Sequence, residues 1–408
     1  MFQIFPPMEV CCLQVSEYLS KFATHINQLI YMAGIYLHIP FCKTRCIYCD
    51  FYSTTHSELR TSYVKALCHE LEMRKEYLKG DPIETIYFGG GTPSQLGKDD
   101  FRLIFNTIRT HYDIDNCKEI TLEANPDDLS NDYLQMLASL PFNRISMGIQ
   151  TFNESTLKLL KRRHSASQAI EAVKRSREAG FKNISIDLIY GLPGETAGRW
   201  EDDLQQAIDL QPEHISAYHL TYEEGTPIYT MLQQHQVQEV DEESSVNFFS
   251  ILMDRLKAAG YEHYEISNFC QPGKYSRHNT SYWKGIPYLG CGPSAHSFNG
   301  NTREWNVASI NDYIEGIEKE ERRFETEVRD KVTAYNELVI TSIRTMWGIP
   351  LGKLEQEYGP EFLNYCRKMA VPYVKSGKLS ERDNTLRLTR KGIFISDSIM
   401  RDLLFVEE

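Results

Sequence analysis

Three cysteines near the start of the chain have a spacing that suits an iron–sulfur cluster. Cys42, Cys46 and Cys49 form a CxxxCxxC run. Thiolates are the soft ligands that iron–sulfur clusters select, and an ordinary four-iron cluster takes four of them. This run supplies only three, because Phe51 occupies the position two residues after Cys49 where a fourth cysteine would follow. A four-iron cluster held in this way keeps one iron open to a small molecule.

Two other interpretations of these cysteines stay open on their spacing alone. One is a zinc knuckle, and the other is a set of reduced thiols in the core. Zinc sites usually pair one CxxC with a distant second pair, and the chain has no second CxxC. The spacing therefore favours the cluster.

The elements that must position these cysteines are predicted to be alternating strands and helices. Short β-rich runs alternate with amphipathic helical patterns, which predicts parallel strands joined by helical crossovers. Six βα units of this kind indicate a partial barrel rather than a complete eight-stranded one. The predicted strands are Ile35–Ile39, Thr85–Phe88, Glu119–Glu123, Arg144–Gly148, Asn183–Leu188 and His214–His219.

Candidate ligand-binding residues fall at the carboxyl ends of these strands, where barrel proteins carry their working residues. The cysteines follow the first strand, and the glycine run 89–91 follows the second. Such glycines let the backbone approach a ligand closely, although they are also common in a simple sharp turn. Glu123 and Asp187 are placed at the ends of the third and fifth strands, where each carboxylate suits a ligand or caps the next helix. Gln150 follows the fourth strand, and Arg162 is expected in the helix after it.

Length, charge and cysteine content limit the class of protein. At 408 residues the chain exceeds the usual size of a single domain. A net charge of −12 argues against nucleic acid as a main partner. No apolar run approaches the roughly 18 residues of a membrane span. The ten cysteines are scattered, unlike those of a secreted disulfide scaffold, so a reducing cytoplasm is the expected location.

The chain divides into four predicted segments. Residues 1–31 are expected to be a mis-started or dispensable extension, with a short helix packed on the barrel as the alternative. Residues 32–265 hold the barrel, and residues 266–330 are predicted to be a loop-rich connection. Residues 331–408 contain helical patterns, a hairpin turned at Asp383-Asn384 and a last helix, an order that resembles a winged-helix fold. The expected fold is therefore α/β, a partial (βα)6 barrel with a C-terminal α+β appendage.

Several motifs occur in an order that resembles a known family. They are YLHIPFC and CIYCDF around the cysteines, then FGGGTPS, QTFNE and DLIYGLPG. Together they resemble the oxygen-independent coproporphyrinogen III oxidase family of radical S-adenosylmethionine (SAM) proteins. The resemblance runs from about residue 32 to the C-terminus, which is most of the chain.

This resemblance implies a four-iron cluster and a bound SAM. The cluster ligands of the family fall on Cys42, Cys46 and Cys49, and the open iron chelates the amino and carboxylate groups of SAM. The aromatic residue before the last cysteine, Tyr48, is implied to lie near the adenine. The positions implied to bind SAM are Tyr36, Tyr48, Gly90, Gly91, Thr92, Glu123, Gln150, Arg162 and Asp187.

Two features sort the chain between the two branches of this family. The decarboxylase branch has a further cysteine two positions after the last cluster ligand, where this chain has Phe51. The haem-chaperone branch, called HemW-type, resembles CxxxCxxCxF and carries an HNxxYW motif. This chain has HNTSYW at residues 278–283. Both features favour the haem-chaperone branch.

The second motif is interpreted as a haem site. Neutral imidazole is a common axial ligand of haem iron, which makes His278 a candidate. Tyr282 and Trp283 offer flat apolar surface to a porphyrin face. The alternative is a loop histidine with satisfied hydrogen bonds beside a core tryptophan, and the nearby YLGCGPSAH run is expected to be a glycine-rich turn. Other candidate iron ligands are His219, His263 and His296.

Three functional hypotheses follow. The first is a cytoplasmic chaperone that binds haem and transfers it to an unidentified acceptor protein, with the cluster and SAM governing folding, homodimerisation or haem release. The alternative is an oxidase that decarboxylates the propionate side chains of coproporphyrinogen III by radical chemistry. The third is a radical SAM enzyme that acts on an unrelated substrate.

Overall fold

Six parallel strands form the barrel that the sequence predicts. The computed structural model describes residues 32–406, so the predicted extension at residues 1–31 lies outside the described residues. Each of the six strands pairs in parallel with the next one along the chain. The strands are β1 (Ala33–Ile39), β2 (Ile83–Gly90), β3 (Glu119–Ala124), β4 (Arg144–Gln150), β5 (Ile184–Tyr190) and β6 (His214–His219).

Amphipathic helices connect these strands and cover the outside of the barrel. Several begin at a side chain that accepts a backbone N–H of the first turn, as Ser130, Asn153 and Ser165 do. Most of their apolar faces pack on one continuous core that includes the fully buried Trp200, while the helices at Glu154–Leu159 and Pro227–Gln233 pack in a smaller cluster. The helices are α1 (Arg60–Met73), α2 (Lys98–His111), α3 (Asn131–Ala138), α4 (Glu154–Leu159), α5 (Ala166–Glu178), α6 (Ala197–Asp209), α7 (Pro227–Gln233) and α8 (Glu242–Ala258).

Short strands extend the sheet at both ends, which corrects the prediction of a loop-rich connection at residues 266–330. On one side, the strand Tyr288–Cys291 pairs in parallel with β1 and leads into three antiparallel strands. On the other side, the strands Asn268–Cys270 and Glu262–Glu265 follow β6. Strands this short carry too few residues for an alternating pattern to show. The added elements are β7 (Glu262–Glu265), β8 (Asn268–Cys270), α9 (Arg277–Trp283), β9 (Tyr288–Cys291), β10 (His296–Phe298), β11 (Thr302–Asn306), α10 (Ile310–Glu318) and β12 (Phe324–Val328).

The C-terminal part has its own hydrophobic core and a winged-helix-like α+β arrangement. Three strands pair antiparallel in the order β13-β15-β14, and the hairpin turns at Asp383 and Asn384, which both have a positive φ. The predicted last helix is divided into two. The elements are α11 (Lys331–Ile343), β13 (Ile349–Pro350), α12 (Leu351–Tyr358), α13 (Pro360–Lys375), β14 (Leu379–Arg382), β15 (Thr385–Leu388), α14 (Arg390–Ile393) and α15 (Ser396–Leu403). Within residues 32–406, no helix has the length and apolar character needed to cross a membrane.

A buried carboxylate ties the added strands to the barrel. Glu70 lies on α1 and is 0% exposed. It accepts hydrogen bonds from the Gly292 N–H at 2.8 Å, the Asn306 amide at 2.8 Å and the Tyr313 hydroxyl at 2.7 Å. Arg74, one turn further along α1, pairs with the same carboxylate at 3.2 Å. One side chain of the barrel therefore holds the loop after β9, the end of β11 and α10 in place.

We expect Glu70→Ala to lower the free energy of unfolding by about 3 kcal/mol, because several buried donors lose their acceptor. Urea unfolding followed by circular dichroism measures this difference, provided that the slope of the transition is unchanged. Glu72→Ala on the exposed face of the same helix is the matched control and should change stability by less than about 0.5 kcal/mol. Equal midpoints for the two variants would contradict a structural role for Glu70.

Candidate functional site

The three cysteines lie on a loop that backbone hydrogen bonds hold at the carboxyl end of β1. The Cys42 N–H donates to the Thr54 carbonyl at 2.8 Å, and the Thr54 N–H donates to the Pro40 carbonyl at 2.7 Å. Further along the loop, Ile47 is only 2% exposed and packs in a small hydrophobic cluster with Leu160. The loop is thus pinned at its start and its middle, while the cysteines themselves stay partly exposed.

The chemistry of this donor set fits a four-iron cluster. All cysteines within the described part of the chain are free thiols. Burial raises the pKa of Cys42 and raises that of Cys49 to about 11, so iron must displace the thiol protons when it binds. No three His, Cys, Asp or Glu side chains among residues 32–406 are arranged to hold a single metal ion, as a zinc knuckle requires. In an iron–sulfur cluster each cysteine binds a different iron, so the three sulfurs need not converge on one point.

Polar side chains that follow β2, β3 and α4 contact the cysteine sulfurs or one another. Thr92 Oγ1 lies 3.3 Å from Cys42 Sγ, and the Arg162 guanidinium donates to Cys46 Sγ at 3.2 Å. Arg162 also donates to Asn125 Oδ1 at 2.6 Å. It follows α4 in a turn, so its predicted place in a helix is wrong. A guanidinium beside the sulfurs stabilises thiolate charge.

Asn125 is a site residue that the sequence reasoning missed. Its amide joins the Thr92 hydroxyl, at 3.4 Å, to the Arg162 guanidinium. The available signal was its position, because Asn125 comes directly after β3, at the same edge of the barrel as the cysteine loop.

The glycine run lies where the chain passes very close to the end of β1. A Cβ on Gly91 would lie 2.7 Å from the Pro40 carbonyl carbon, and one on Gly90 would lie 2.6 Å from the His38 ring. Gly90 also has a φ of +100°, and its N–H donates to Glu123 Oε2 at 3.2 Å. Close packing against β1 therefore requires these two glycines, and the same packing brings their backbone beside the cysteine loop.

Two carboxylates face the interior of the barrel at this end. The Tyr87 hydroxyl donates to Glu123 Oε1 at 2.7 Å. Burial raises the pKa of Glu123 to about 7 and that of Asp187 to about 6. Asp187 lies inside β5, so its predicted place at the end of the strand is wrong. The helices α3 and α6 are capped by Ser130 and Thr196, which removes helix capping as an explanation for the two carboxylates.

The remaining predicted SAM positions lie on the same strands or on the cysteine loop. Gln150 is the last residue of β4, where it has a φ of +72° beside a β-bulge. Tyr36 on β1 stacks on Tyr87 with the ring centroids 6.2 Å apart. Tyr48 packs against the small hydrophobic cluster that anchors Ile47.

His278, the candidate haem ligand of the HNxxYW motif, is enclosed in the barrel. It is 1% exposed, and its ring stacks on Tyr87 with centroids 5.0 Å apart. Its Nδ1 lies 2.8 Å from Thr85 Oγ1, and its Nε2 lies 2.8 Å from the Tyr282 hydroxyl. Burial lowers the pKa of the imidazole to about 3. Both ring nitrogens of His278 are thus engaged in buried hydrogen bonds, within a helix rather than in a loop.

The two aromatic residues of the same motif do line a large cavity. Its volume is about 980 Å³, at the upper end of the range for ligand pockets. It reaches from the segment directly after Cys49 to the strands β9–β11 and the helices α11 and α12. Its wall includes the aromatic residues and histidines Phe51, Tyr282, Trp283, Tyr288, His296 and Phe298, together with Tyr36, His38, Tyr52, Tyr77 and Tyr358.

Comparisons with known proteins identify the family. The model of the radical SAM superfamily matches residues 36–207, and that of the HemN C-terminal domain matches residues 330–395. The heme chaperone HemW of Mycobacterium tuberculosis is 34% identical, with 91% of this chain and 94% of the relative covered. The chain belongs to the HemW family. HemW of Bacillus subtilis is 32% identical over 90% of this chain and 98% of the relative.

A solved structure shares the fold of this HemW-family chain. Coproporphyrinogen III oxidase (HemN) from Escherichia coli, a radical SAM enzyme, superimposes with a TM-score of 0.80 at 22% identity, covering 94% of this chain and 92% of the other. The radical SAM domain implies a four-iron cluster and SAM as cofactors.

We expect Gly91→Ala to reduce cluster incorporation at least about twofold, because relieving its clash with the backbone of Pro40 must displace the cysteine loop, at a cost of about 1–3 kcal/mol. Iron and sulfide per chain after anaerobic reconstitution measure this. Gly97→Ala is the matched control, since the nearest atom to its Cβ would lie at 3.6 Å. Equal iron content in the two variants would contradict the importance of this close approach.

Proposed function

We propose that this HemW-family protein is a haem chaperone, which binds haem in the cavity and passes it to an acceptor protein. The observation that carries the proposal is the cavity itself, whose wall joins Phe51 of the cysteine loop to Tyr282 and Trp283 of α9. Phe51 is 65% exposed. In the sequence it occupies the position at which the decarboxylase branch has a cysteine. The names of the relatives agree, since those compared above are heme chaperones.

The wall of the cavity suits a flat macrocycle that carries carboxylates. Its aromatic rings provide apolar surface against which a porphyrin face packs favourably. Arg303 and Arg329 also line the cavity and offer guanidinium groups, which pair well with carboxylates. This combination matches haem, whose propionates are charged while its ring is apolar.

We also propose the residues that hold the cofactors. Cys42, Cys46 and Cys49 ligate the cluster, and Arg162 stabilises the charge on their sulfurs. When bound, the cluster and SAM supply one-electron chemistry, while the protein provides orientation and a dry environment. The SAM site consists of Tyr36, Tyr48, Gly90, Gly91, Thr92, Glu123, Gln150, Arg162 and Asp187.

The proposed location is a reducing cytoplasm. The free thiols between residues 32 and 406 support it, because such a compartment keeps thiols reduced. The acceptor protein and a homodimer stay predictions from the resemblance.

The direct test compares haem uptake with porphyrinogen chemistry on one anaerobic preparation of cluster-loaded protein. We expect haemin titration, followed by the Soret band, to end at about one haem per chain. We expect no decarboxylated product when reductant, SAM and coproporphyrinogen III are supplied. Catalytic turnover of the porphyrinogen would overturn the chaperone proposal in favour of the oxidase, and failure to bind haemin would overturn it as well.

SAM binding is expected to strengthen as the pH rises through about 7. The Glu123 carboxyl, with a pKa of about 7, is neutral below that pH and negatively charged above it, where it attracts the positive charge of SAM. The hydrogen bond from Tyr87 and the positive charge of Arg144 lower the pKa of Glu123, whereas the negative charge of Asp187 raises it. The Asp187 carboxyl, with a pKa of about 6, loses its charge at a slightly lower pH. The affinity should therefore be about tenfold weaker at pH 6 than at pH 8.

Equilibrium dialysis of SAM against cluster-loaded protein measures this dependence. Glu123→Gln should flatten the pH profile, whereas Glu201→Gln on the exposed face of α6 should leave it unchanged. An unchanged profile in the Glu123 variant would show that another group controls SAM binding.

A further inference from the structure

We infer that His296 on β10 is the axial ligand of the haem iron, and that Arg303 and Arg329 receive the haem propionates. The inference rests on the proposed haem-chaperone function and assigns its cargo to one wall of the cavity. It moves the ligand from the HNxxYW motif to the antiparallel strands that follow it.

The geometry of His296 is that of an available ligand. Its side chain is exposed and lines the cavity. Neither of its ring nitrogens has a hydrogen-bond partner among residues 32–406. The ring stacks on Trp305 across the β10–β11 pair, with centroids 5.7 Å apart and planes inclined by 26°. Desolvation against the cavity wall and the nearby Arg303 lower the pKa of His296, which favours the neutral imidazole.

His278 and His38 are not available in the same way. Iron bound to either nitrogen of His278 would break a buried hydrogen bond, to Thr85 or to Tyr282. His38 does line the cavity, but its Nδ1 lies 3.1 Å from the Tyr36 hydroxyl and its Nε2 lies 2.9 Å from the Tyr52 carbonyl.

The two other candidate histidines lie away from the cavity wall. The Nε2 of His219 is 3.0 Å from Ser245 Oγ, and that of His263 is 3.0 Å from the Ile266 carbonyl. The His263 ring also stacks on Phe269 with centroids only 4.2 Å apart. Both imidazoles are thus engaged in local packing. Among the histidines compared, His296 alone combines a cavity position with two unpaired ring nitrogens.

Cationic groups lie on the same wall as His296. Arg303 and Arg329 both lie over the Phe298 ring, at 5.3 Å and 5.0 Å from its centroid. Both pair with one carboxylate, Glu337, at 3.0 Å and 2.6 Å, so the two guanidinium groups share a single ion-pair partner. The other charged residues of the cavity balance one another in number: Lys79, Lys284 and Lys353 against Asp50, Asp81 and Glu357.

Trp283 lines the cavity, while its indole Nε1 is buried and has no hydrogen-bond partner within the described residues. The groups that face a ligand on this wall are therefore one imidazole and two guanidinium groups. Together they favour a metallated tetrapyrrole with acidic side chains over a neutral one.

The test exchanges the proposed ligand instead of deleting it. Reconstituted with haemin, His296→Cys should keep about one haem per chain but change the Soret and EPR signatures from those of an imidazole to those of a thiolate ligand. His278→Gln retains hydrogen-bonding groups toward Thr85 and Tyr282 and should keep the wild-type spectrum. His235→Cys, an exposed position outside the cavity, controls for the added thiol.

The outcomes separate this inference from the function on which it rests. Loss of the imidazole spectrum in His278→Gln, with an unchanged spectrum in His296→Cys, would overturn the inference and leave the haem chaperone standing. Failure of the wild-type protein to bind haemin would overturn both. A thiolate spectrum in His296→Cys alone is the result that the geometry predicts.

The propionate contacts are tested with a second ligand. Arg329→Gln should weaken haemin binding at least threefold without changing the spectrum. The same substitution should leave the affinity for haem dimethyl ester unchanged, because the ester lacks the carboxylates. Equal weakening for both ligands would overturn the propionate assignment and reduce Arg329 to a packing role.

Discussion

The parallel pairing of β9 with β1 is the interaction on which the arrangement of both proposed sites depends. Strand β1 pairs with β2 on one side and with β9 on the other, and its carboxyl end continues into the cysteine loop. A Cβ on Gly290 of β9 would lie 1.9 Å from the His296 carbonyl oxygen, so only glycine allows β10 to fold back this closely. Strand β1 thus positions the cysteine loop at its carboxyl end. Through its pairing with β9, it also positions the cavity wall that carries His296.

The two proposed sites share a segment of chain. Residues 50–52 directly follow the last cysteine and also line the cavity. His38 of β1 contacts the Tyr52 carbonyl, and the Tyr52 hydroxyl accepts the first N–H of α10, from Ile310, at 2.6 Å. Because this segment touches the barrel and the added elements, the position of the cluster loop and the shape of the cavity are mechanically linked. This link is a physical basis on which the proposed cofactors would influence the proposed binding of haem.

The barrel and the place of the cysteine loop at its carboxyl end were predictable from the sequence, but the cavity was not. Buried parallel strands leave continuous apolar runs, and the cysteine spacing is local, so β1 to β6 and Cys42–Cys49 could be recognised. The run at Tyr288 was expected to be a glycine-rich turn, yet it forms β9, because pairing with β1 outweighs its weak local signal. The burial of His278 was equally hidden, since its partner Thr85 is 193 residues away along the chain.

Locating the irons of the haem-loaded protein tests the account most directly. Anomalous diffraction at the iron edge from anaerobic crystals of the cluster- and haem-loaded protein would show every iron position. We predict one peak for the cluster at Cys42, Cys46 and Cys49, and a second in the cavity, within bonding distance of His296. A second peak beside His278, or above Glu123 and Asp187 at the mouth of the barrel, would contradict the account.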